Sequence, residues 1–382
     1  MPLLAVRPQW WQRIGSAAAG AVSSCVSAFA GAGLAPAGLA GWVLLGWLIL
    51  GGWAADTASI ANTMTHPGIG VGTWAWGNQF LWGYNPSHDA ELEATFRAAV
   101  AADLRLFDTA DSYGTGRFNG RSEALLGRFA AALPAPQRER ICLATKLAPF
   151  PWRLGRGGYR RAFAASQRRL GRIDRVQLHW STARYAPWQE LPLIDGLADL
   201  VEQGAAAELG VSNMGPRRLR QVQAHLADRG IRLVSLQVQC SLLAPEPIAP
   251  GGLMDTCREL GIELLAYSPL ALGLLARRAG EGRQELTGTR RALFTRLGPG
   301  LSQLLAEMER IAEPRGASLA AVALNWCRAH GAMPIPGLRK PAQVADAQAA
   351  LGWQLELAER EALDRLALAL PARMPANPFQ SA

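Results

Sequence analysis

Four side chains with complementary acid–base chemistry follow three short apolar segments of the chain. Asp108 and Tyr113 lie in LFDTADSYG, Lys146 lies in CLATKL, and His179 lies in VQLHW. Reduction of a carbonyl group needs a hydride at carbon and a proton at oxygen, and a phenol donates more readily when a nearby ammonium lowers its pKa. We therefore predict Tyr113 as the proton donor and Lys146 as the group that lowers its pKa. Asp108 would hold the lysine, and His179 would orient the substrate oxygen.

These side chains stand at or just after the ends of predicted strands. From residue 68 the chain alternates apolar, strand-like runs with amphipathic stretches, which is typical of βα units around a parallel sheet. A (β/α)₈ barrel keeps its chemistry at the C-terminal ends of its strands. We therefore predict an α/β fold, a (β/α)₈ TIM barrel. The predicted strands are 69–74, 104–108, 141–145, 175–179, 207–211, 233–238, 262–267 and 333–336, and the predicted helices include 89–102, 188–202, 217–228, 301–311, 318–330, 341–351 and 357–370.

The order of the four residues, with five positions from Asp108 to Tyr113, resembles the aldo-keto reductase family over roughly residues 68–370. The segments GTWAWG and ATKLAPFPWR are closest to its plant-plastid and cyanobacterial subgroup. The resemblance implies reduction of an aldehyde or ketone with NADPH, in which Tyr113 supplies the proton. The physiological substrate does not follow from it.

The same resemblance implies a cofactor site in place of a Rossmann motif, since no GxGxxG follows an early strand. In the family, residues at the positions of Ser212, Asn213 and Gln237 hold the nicotinamide carboxamide. The position of Tyr267 stacks on the nicotinamide ring, and the backbone after it runs beside the pyrophosphate. Expected contacts in these regions also include Thr73, Trp74, Ser268 and Leu270.

A further segment, IPGLRKPAQ, resembles the family's site for the adenosine 2′-phosphate and contains Gly337, Arg339 and Gln343. A helix N-terminus beside basic side chains favours an anion. The segment therefore indicates NADP rather than NAD. The family usually has Asn four residues after the glutamine, near the adenine, whereas this chain has Ala347.

Composition narrows the remaining classes of function. The chain is 49% apolar with a net charge of +9, and its basic residues are scattered rather than clustered with aromatic ones on one element, so no nucleic-acid partner is expected. Five cysteines without a CxxC spacing predict neither a disulfide framework nor a zinc site. The expected partner is a small carbonyl substrate, and no metal is expected.

The N-terminal part has a different composition. Residues 14–55 carry no charge, and the apolar run 38–54 approaches the length of a membrane-spanning helix. Three interpretations stand: a membrane anchor, a targeting segment such as a plastid one, or translation starting at Met64. We predict residues 1–63 as an extension and residues 64–382 as the barrel. The expected location is cytoplasmic, with membrane anchoring through 38–54 or plastid targeting as alternatives.

Two other functions are compatible with the sequence. The chain could be a cofactor-binding, redox-sensing regulatory subunit with slow catalysis, because such members of the family keep the four residues. It could also be a membrane-tethered scaffold with an inactive barrel. Turnover of an aldehyde would exclude the inactive scaffold. Capture of a protein partner would favour the regulatory subunit.

Overall fold

The computed structural model describes residues 68–277 and 288–381. The predicted extension 1–63, its apolar run and Met64 lie outside the described residues. Within the two described ranges, no helix combines the length and the apolar character needed to cross a membrane.

Parallel strands form one sheet whose spatial order follows the chain from β1 to β8. The sheet closes on itself because Gly72 N donates to Pro336 O at 2.9 Å and Gly72 bridges Gly337 in parallel. A Cβ atom at Gly72 would lie 2.8 Å from the carbonyl oxygen of Ile335, so this closure needs glycine. The predicted barrel is confirmed. Its strands are β1 Val71–Gly72, β2 Leu106–Asp108, β3 Cys142–Leu147, β4 Arg175–Leu178, β5 Glu208–Ser212, β6 Leu233–Gln239, β7 Glu263–Tyr267 and β8 Met333–Ile335.

Helices surround the barrel, and their apolar faces form the main core against the outside of the strands. Six of the described helices were not predicted from the sequence: Gln79–Trp82, Arg121–Ala131, Ala135–Arg140, Arg160–Leu170, Leu253–Leu260 and Gly288–Leu297. The described helices are α1 Gln79–Trp82, α2 Asp89–Ala101, α3 Arg121–Ala131, α4 Ala135–Arg140, α5 Arg160–Leu170, α6 Pro187–Glu202, α7 Pro216–Ala227, α8 Leu253–Leu260, α9 Gly288–Leu297, α10 Ser302–Ala312, α11 Leu319–Ala329, α12 Pro341–Leu351 and α13 Leu357–Ala369.

A second, smaller apolar cluster fills the inside of the barrel. Side chains two positions apart on a strand point the same way. Three polar residues each lie two positions after a member of this cluster on the same strand, and so point the same way: Asp108, Lys146 and Tyr267. The alternation along the strands therefore places a polar layer above an apolar layer inside the barrel. The cluster consists of Leu106, Ala144, Leu265 and Ile335.

Candidate active site

A cavity of about 640 Å³ opens at the C-terminal ends of the strands. Tyr113 and His179 lie on its wall near one end, and Arg339 and Gln343 lie on the wall formed by the start of α12. The fold therefore brings most of the predicted catalytic and cofactor residues to the wall of one cavity, whereas Lys146 and Thr73 are not on that wall. A cavity of this volume lies in the usual range for small-molecule and cofactor sites.

The base of the catalytic end is an ion pair between Lys146 and Asp108. Their side chains are 1% and 2% exposed. The second carboxylate oxygen of Asp108 accepts hydrogen bonds from Gln177 Nε2 at 3.1 Å and from Gln237 Nε2 at 2.8 Å. The Lys146 ammonium nitrogen also lies 4.9 Å from the centre of the Tyr113 ring. Asp108 thus pairs with Lys146 next to the phenol ring.

The pKa of Tyr113 differs from the sequence expectation. Burial, and then the charge of Asp108, raises the pKa of Tyr113 well above 10.0. Burial also lowers the pKa of Lys146 despite its pairing with Asp108. The causes of the shift at Tyr113 are burial and Asp108, whereas the Lys146 ammonium is paired with Asp108 and lies 4.9 Å from the ring centre, so its predicted lowering effect on the phenol's pKa stays a prediction. Tyr113 is fully protonated at neutral pH, as a proton donor must be.

The imidazole of His179 stands beside Tyr113, with 5.7 Å between the ring centres. Burial, and then the charges of Lys146 and Arg153, lowers its pKa well below 6.5, so the ring is neutral at physiological pH. Its Nδ1 lies 3.2 Å from the hydroxyl oxygen of Ser112. A neutral imidazole carries one N–H that can donate to a substrate oxygen.

Ser212 and Asn213 lie on the cavity wall at the end of β5. The Ser212 hydroxyl donates to Gln237 O at 2.8 Å, and Asn213 adopts a left-handed backbone with φ of 57°. Asn213 Oδ1 accepts a hydrogen bond from the hydroxyl of Tyr267 at 3.0 Å. The three residues expected at the carboxamide and the predicted stacking ring are therefore neighbours. The Gln237 amide nitrogen bonds Asp108, which also ties this group to the ion pair.

The remaining residues predicted near the nicotinamide differ in placement. Trp74, Ser268 and Leu270 line the cavity. Thr73 is not part of the wall: its side chain is fully buried, and its hydroxyl donates to Asp108 O at 2.9 Å and lies 2.7 Å from the Ser122 hydroxyl. The side chain of Thr73 joins strands rather than facing a ligand.

At the phosphate end, Gly337, Arg339 and Gln343 line the cavity. Gln343 Oε1 accepts from the backbone N–H of Arg339 at 2.8 Å and of Lys340 at 3.2 Å, so it caps α12 and fixes the preceding turn. Ala347 is fully buried in the main core, and Asp346 lies on the wall beside it.

An unpredicted arginine joins this end of the cavity. The guanidinium groups of Arg290 and Arg339 lie 4.4 Å and 5.0 Å from the centre of the Trp82 ring. Burial, and then the charges of Arg339 and Arg277, lowers the pKa of Arg290 to about 10. Its Nε is buried without a hydrogen-bond partner in the described structure. Crowded, partly desolvated cations of this kind favour an anionic ligand.

Sequence reasoning also missed Ser112 and Asn377 on the cavity wall. Ser112 lies inside the LFDTADSYG segment, so its position next to Tyr113 was a usable signal. Asn377 lies in a C-terminal stretch without periodicity, and no local pattern points to it. Trp76, two residues after Trp74, is not on this wall: it is buried and donates from Nε1 to Leu338 O at 2.9 Å.

A parallel barrel that places a phenol, a buried ammonium–carboxylate pair and a neutral imidazole at one end of a long cavity defines a barrel oxidoreductase that acts on carbonyl groups. The chain belongs to the aldo/keto reductase family, whose model matches residues 68–367. It is accordingly an oxidoreductase that reduces carbonyl groups with NADP(H).

Named relatives agree with this membership. The chain is 46% identical to the chloroplastic pyridoxal reductase of Arabidopsis thaliana over 321 residues, covering 82% of this chain and 86% of the relative. A glycerol dehydrogenase of Gluconobacter oxydans superposes with a TM-score of 0.65 at 26% identity, over 82% of this chain and 95% of that one. An aldo/keto reductase of Klebsiella pneumoniae, crystallised with NADP and acetate, gives 0.61 at 26% identity over 83% and 95%.

Proposed function

We propose that this protein reduces an aromatic aldehyde of the pyridoxal type with NADPH, and that Tyr113 is the proton donor. The observation that carries the catalytic part is the placement of the Tyr113 and His179 rings side by side above the Lys146–Asp108 pair. The substrate class is supported by the 46% identity to a pyridoxal reductase over most of both chains. Trp74, which lies on the cavity wall and is 36% exposed, offers an aromatic side chain to a planar substrate.

In this proposal NADPH, when bound, supplies the hydride to the carbonyl carbon. Tyr113 transfers its hydroxyl proton to the carbonyl oxygen as negative charge develops there. The transfer is favourable even with a raised phenol pKa, because an alkoxide is a stronger base than a phenolate. The Lys146 ammonium, held under the ring by Asp108, then stabilises the phenolate that remains.

His179 is proposed to orient the substrate. A neutral imidazole beside the phenol donates one hydrogen bond to the carbonyl oxygen without competing as an acid. We propose that the Ser112 hydroxyl donates to Nδ1, so that the single ring proton lies on Nε2 and is available for the substrate oxygen. The imidazole then holds the oxygen within reach of the Tyr113 hydroxyl.

The residues present fit NADPH. The cationic groups of Arg290 and Arg339 crowd one end of the cavity, and the buried Nε of Arg290 has no described partner. Arg339, with the N-terminus of α12, is proposed to hold the 2′-phosphate. Ser212, Asn213 and Gln237 are proposed to hold the carboxamide, and the Tyr267 ring to stack on the nicotinamide.

For the whole chain we propose a separable extension at residues 1–63 and a catalytic barrel at 64–382. Of the three interpretations of the extension, targeting is supported by the chloroplastic location in the name of the Arabidopsis relative. The relatives reported above are reductases and a dehydrogenase, which favours an enzyme over a redox-sensing subunit.

The test follows NADPH oxidation with pyridoxal, a simple aromatic aldehyde and an aliphatic aldehyde of similar size. We expect pyridoxal to have the highest kcat/KM. Tyr113→Phe is expected to lower kcat by at least about 10²-fold, the usual contribution of general acid catalysis, with NADPH affinity unchanged. Turnover of the variant within a few-fold of wild type contradicts the assignment of the donor, and a preference for the aliphatic aldehyde contradicts the substrate class.

A further inference from the structure

The C-terminal tail, residues 370–381, passes over the catalytic end of the cavity. Its backbone N–H groups are tied to the barrel, since Met374 N donates to Leu243 O at 2.9 Å and Ser381 N donates to Asn213 O at 3.2 Å. The ring of Phe379 stacks on Trp180, the residue after His179, at 5.2 Å between centres. These contacts hold the tail against residues of the proposed nicotinamide site.

One side chain of the tail, Asn377, reaches the proposed stacking ring. Its Nδ2 donates to the Tyr267 hydroxyl at 3.0 Å, and that hydroxyl donates to Asn213 Oδ1 at 3.0 Å. Asn213 Nδ2 donates in turn to the backbone carbonyl oxygen of His179 at 3.2 Å. A chain of hydrogen bonds thus runs from the tail through Tyr267 to the catalytic histidine.

Donor and acceptor capacities fix the direction of this chain. Asn213 Nδ2 donates to His179 O and to Ser212 Oγ, so its Oδ1 is the atom left to accept from Tyr267. A phenol has one proton, so the Tyr267 hydroxyl must accept from its other neighbour. Asn377 meets that need with its amide nitrogen, because its Oδ1 accepts from Phe379 N at 2.9 Å.

The chain also defines where the Tyr267 ring lies. A phenol bonded on one side only can rotate about its side-chain torsions, whereas partners on both sides hold the hydroxyl in place. Burial raises the pKa of Tyr267 to about 12, so the hydroxyl keeps its proton and both hydrogen bonds persist at neutral pH. A ring held in this way loses less conformational freedom when a ligand stacks on it.

We propose that Asn377 is a positioning residue that fixes the Tyr267 ring for the nicotinamide and links that ring, through Asn213, to His179. This rests on the proposed role of Tyr267 in cofactor binding. The tail is then a working part of the cofactor site, and its amide acts only through the Tyr267 hydroxyl.

The experiment is a double-mutant cycle on the full-length protein. Asn377→Ala and Tyr267→Phe each break the same hydrogen bond. Each is expected to raise the NADPH dissociation constant about three- to tenfold, and the double variant is expected to bind like the weaker single variant. Asn377→Asp has the same shape but no amide donor, so it is expected to behave like Asn377→Ala. Binding is measured by fluorescence titration, and kcat and aldehyde KM are measured at saturating NADPH.

A merely structural role predicts a different outcome. Loss of the tail's packing would change the thermal midpoint and aldehyde KM, and the two single effects on NADPH would multiply. We expect the thermal midpoint of Asn377→Asp and the aldehyde KM to stay close to wild type. Gln380→Ala, in the same tail but outside the hydrogen-bond chain, is the matched control and is expected to bind NADPH normally. The proposal is overturned if the effects of the two single variants on the NADPH dissociation constant multiply in the double variant. It is also overturned if Asn377→Ala binds NADPH as wild type does.

Tyr267→Ala separates this inference from the proposed function. If removal of the ring leaves NADPH affinity unchanged, the stacking role fails and the inference falls with it. If removal of the ring weakens NADPH while Asn377→Ala and Asn377→Asp do not, the stacking role stands and the positioning role alone is overturned.

Discussion

Tyr113 and Lys146 have pKa values displaced in opposite directions, and burial is the largest cause for both groups. Burial disfavours the charged form of each, which is the phenolate for the tyrosine and the ammonium for the lysine. The negative charge of Asp108 raises both pKa values. It therefore opposes the effect of burial on the lysine and adds to the effect of burial on the tyrosine. The resting site therefore contains a neutral phenol above one compensated ion pair, and the lysine becomes useful when a phenolate forms.

A lysine variant tests this division of roles. Lys146→Met leaves the Asp108 carboxylate buried without its partner, which is expected to cost about 3–5 kcal/mol of unfolding free energy and most of the activity. Adding Asp108→Asn removes the charge and is expected to recover much of the stability in urea unfolding while kcat stays low. Recovery of kcat together with stability would show that the lysine acts only as a structural partner.

A second buried acid lies nearby. Asp111 pairs with Arg153, accepts from Ala148 N at 3.2 Å, and has a side chain 3% exposed. Burial, opposed by Arg153, raises its pKa from 3.8 to about 6. Between these values the folded protein binds more protons than the unfolded chain, so the free energy of unfolding falls as pH rises. The total change is on the order of 3 kcal/mol, from about 1.36 kcal/mol per unit.

Asp111→Asn removes this titration. The stability of wild type minus that of the variant is expected to decrease from pH 4 to pH 6 and to stay level above pH 6, as measured by urea unfolding at each pH. Glu93→Gln, in an exposed ion pair with Arg97, is the control and is expected to lack that step. If the stability difference between wild type and Asp111→Asn is flat or rises with pH, the pKa of the buried Asp111 carboxyl is not raised.

At the scale of elements, the ends of strands and the starts of helices carry the site. The parallel order of β1 to β8 brings residues distant in sequence to one rim. The turn between β8 and α12 is held by Gln343, whose side-chain oxygen accepts from two backbone N–H groups. That cap keeps Arg339 at the cavity, where a helix N-terminus and a guanidinium favour the same anion.

Cofactor choice tests this element. A charge-assisted hydrogen bond to a 2′-phosphate is worth about 1.5–3 kcal/mol, so Arg339→Ala is expected to weaken NADPH about tenfold or more and to leave NADH nearly unchanged. Fluorescence titration with both cofactors measures this. Arg97→Ala, an exposed arginine paired with Glu93, is the control. Equal affinity of the wild type for NADPH and NADH would contradict the proposed phosphate site.

At the scale of the whole molecule, closure of the sheet brings its first and last strands together. Strand β1 pairs with β2 and, through Gly72, also reaches the segment after β8, so the sheet has no free edge between these strands. The family model matches residues 68–367, and every catalytic and cofactor residue named above lies after residue 67. This agrees with the proposal that the barrel is the catalytic unit.

Shortening the chain tests the proposed boundary. A version that begins at Met64 is expected to fold, bind NADPH and reduce aldehydes with the kcat of the full chain, because it keeps the whole matched region. Circular dichroism and NADPH oxidation measure this against the full-length protein. An unfolded or insoluble short version, beside a folded full-length chain, would place the boundary further upstream.

The sequence by itself determined the barrel and indicated the candidate catalytic set. Eight apolar runs at βα spacing allow few other folds, and the order of Asp108, Tyr113, Lys146 and His179 places them at one rim because parallel strands share their C-terminal ends. The match of IPGLRKPAQ to a phosphate-binding turn was also local, since its residues are consecutive.

Tertiary structure alone decided the electrostatics and the long-range contacts. The raised pKa of Tyr113 depends on burial by many elements, which no short pattern records. The hydrogen bond from the Thr73 hydroxyl to Asp108 O depends on the position of β1 beside β2. Asn377 meets Tyr267 across 110 positions of sequence, and Arg290 and Arg339 come together at the Trp82 ring. Local periodicity specifies elements, whereas desolvation and contacts between distant segments exist only once those elements have packed.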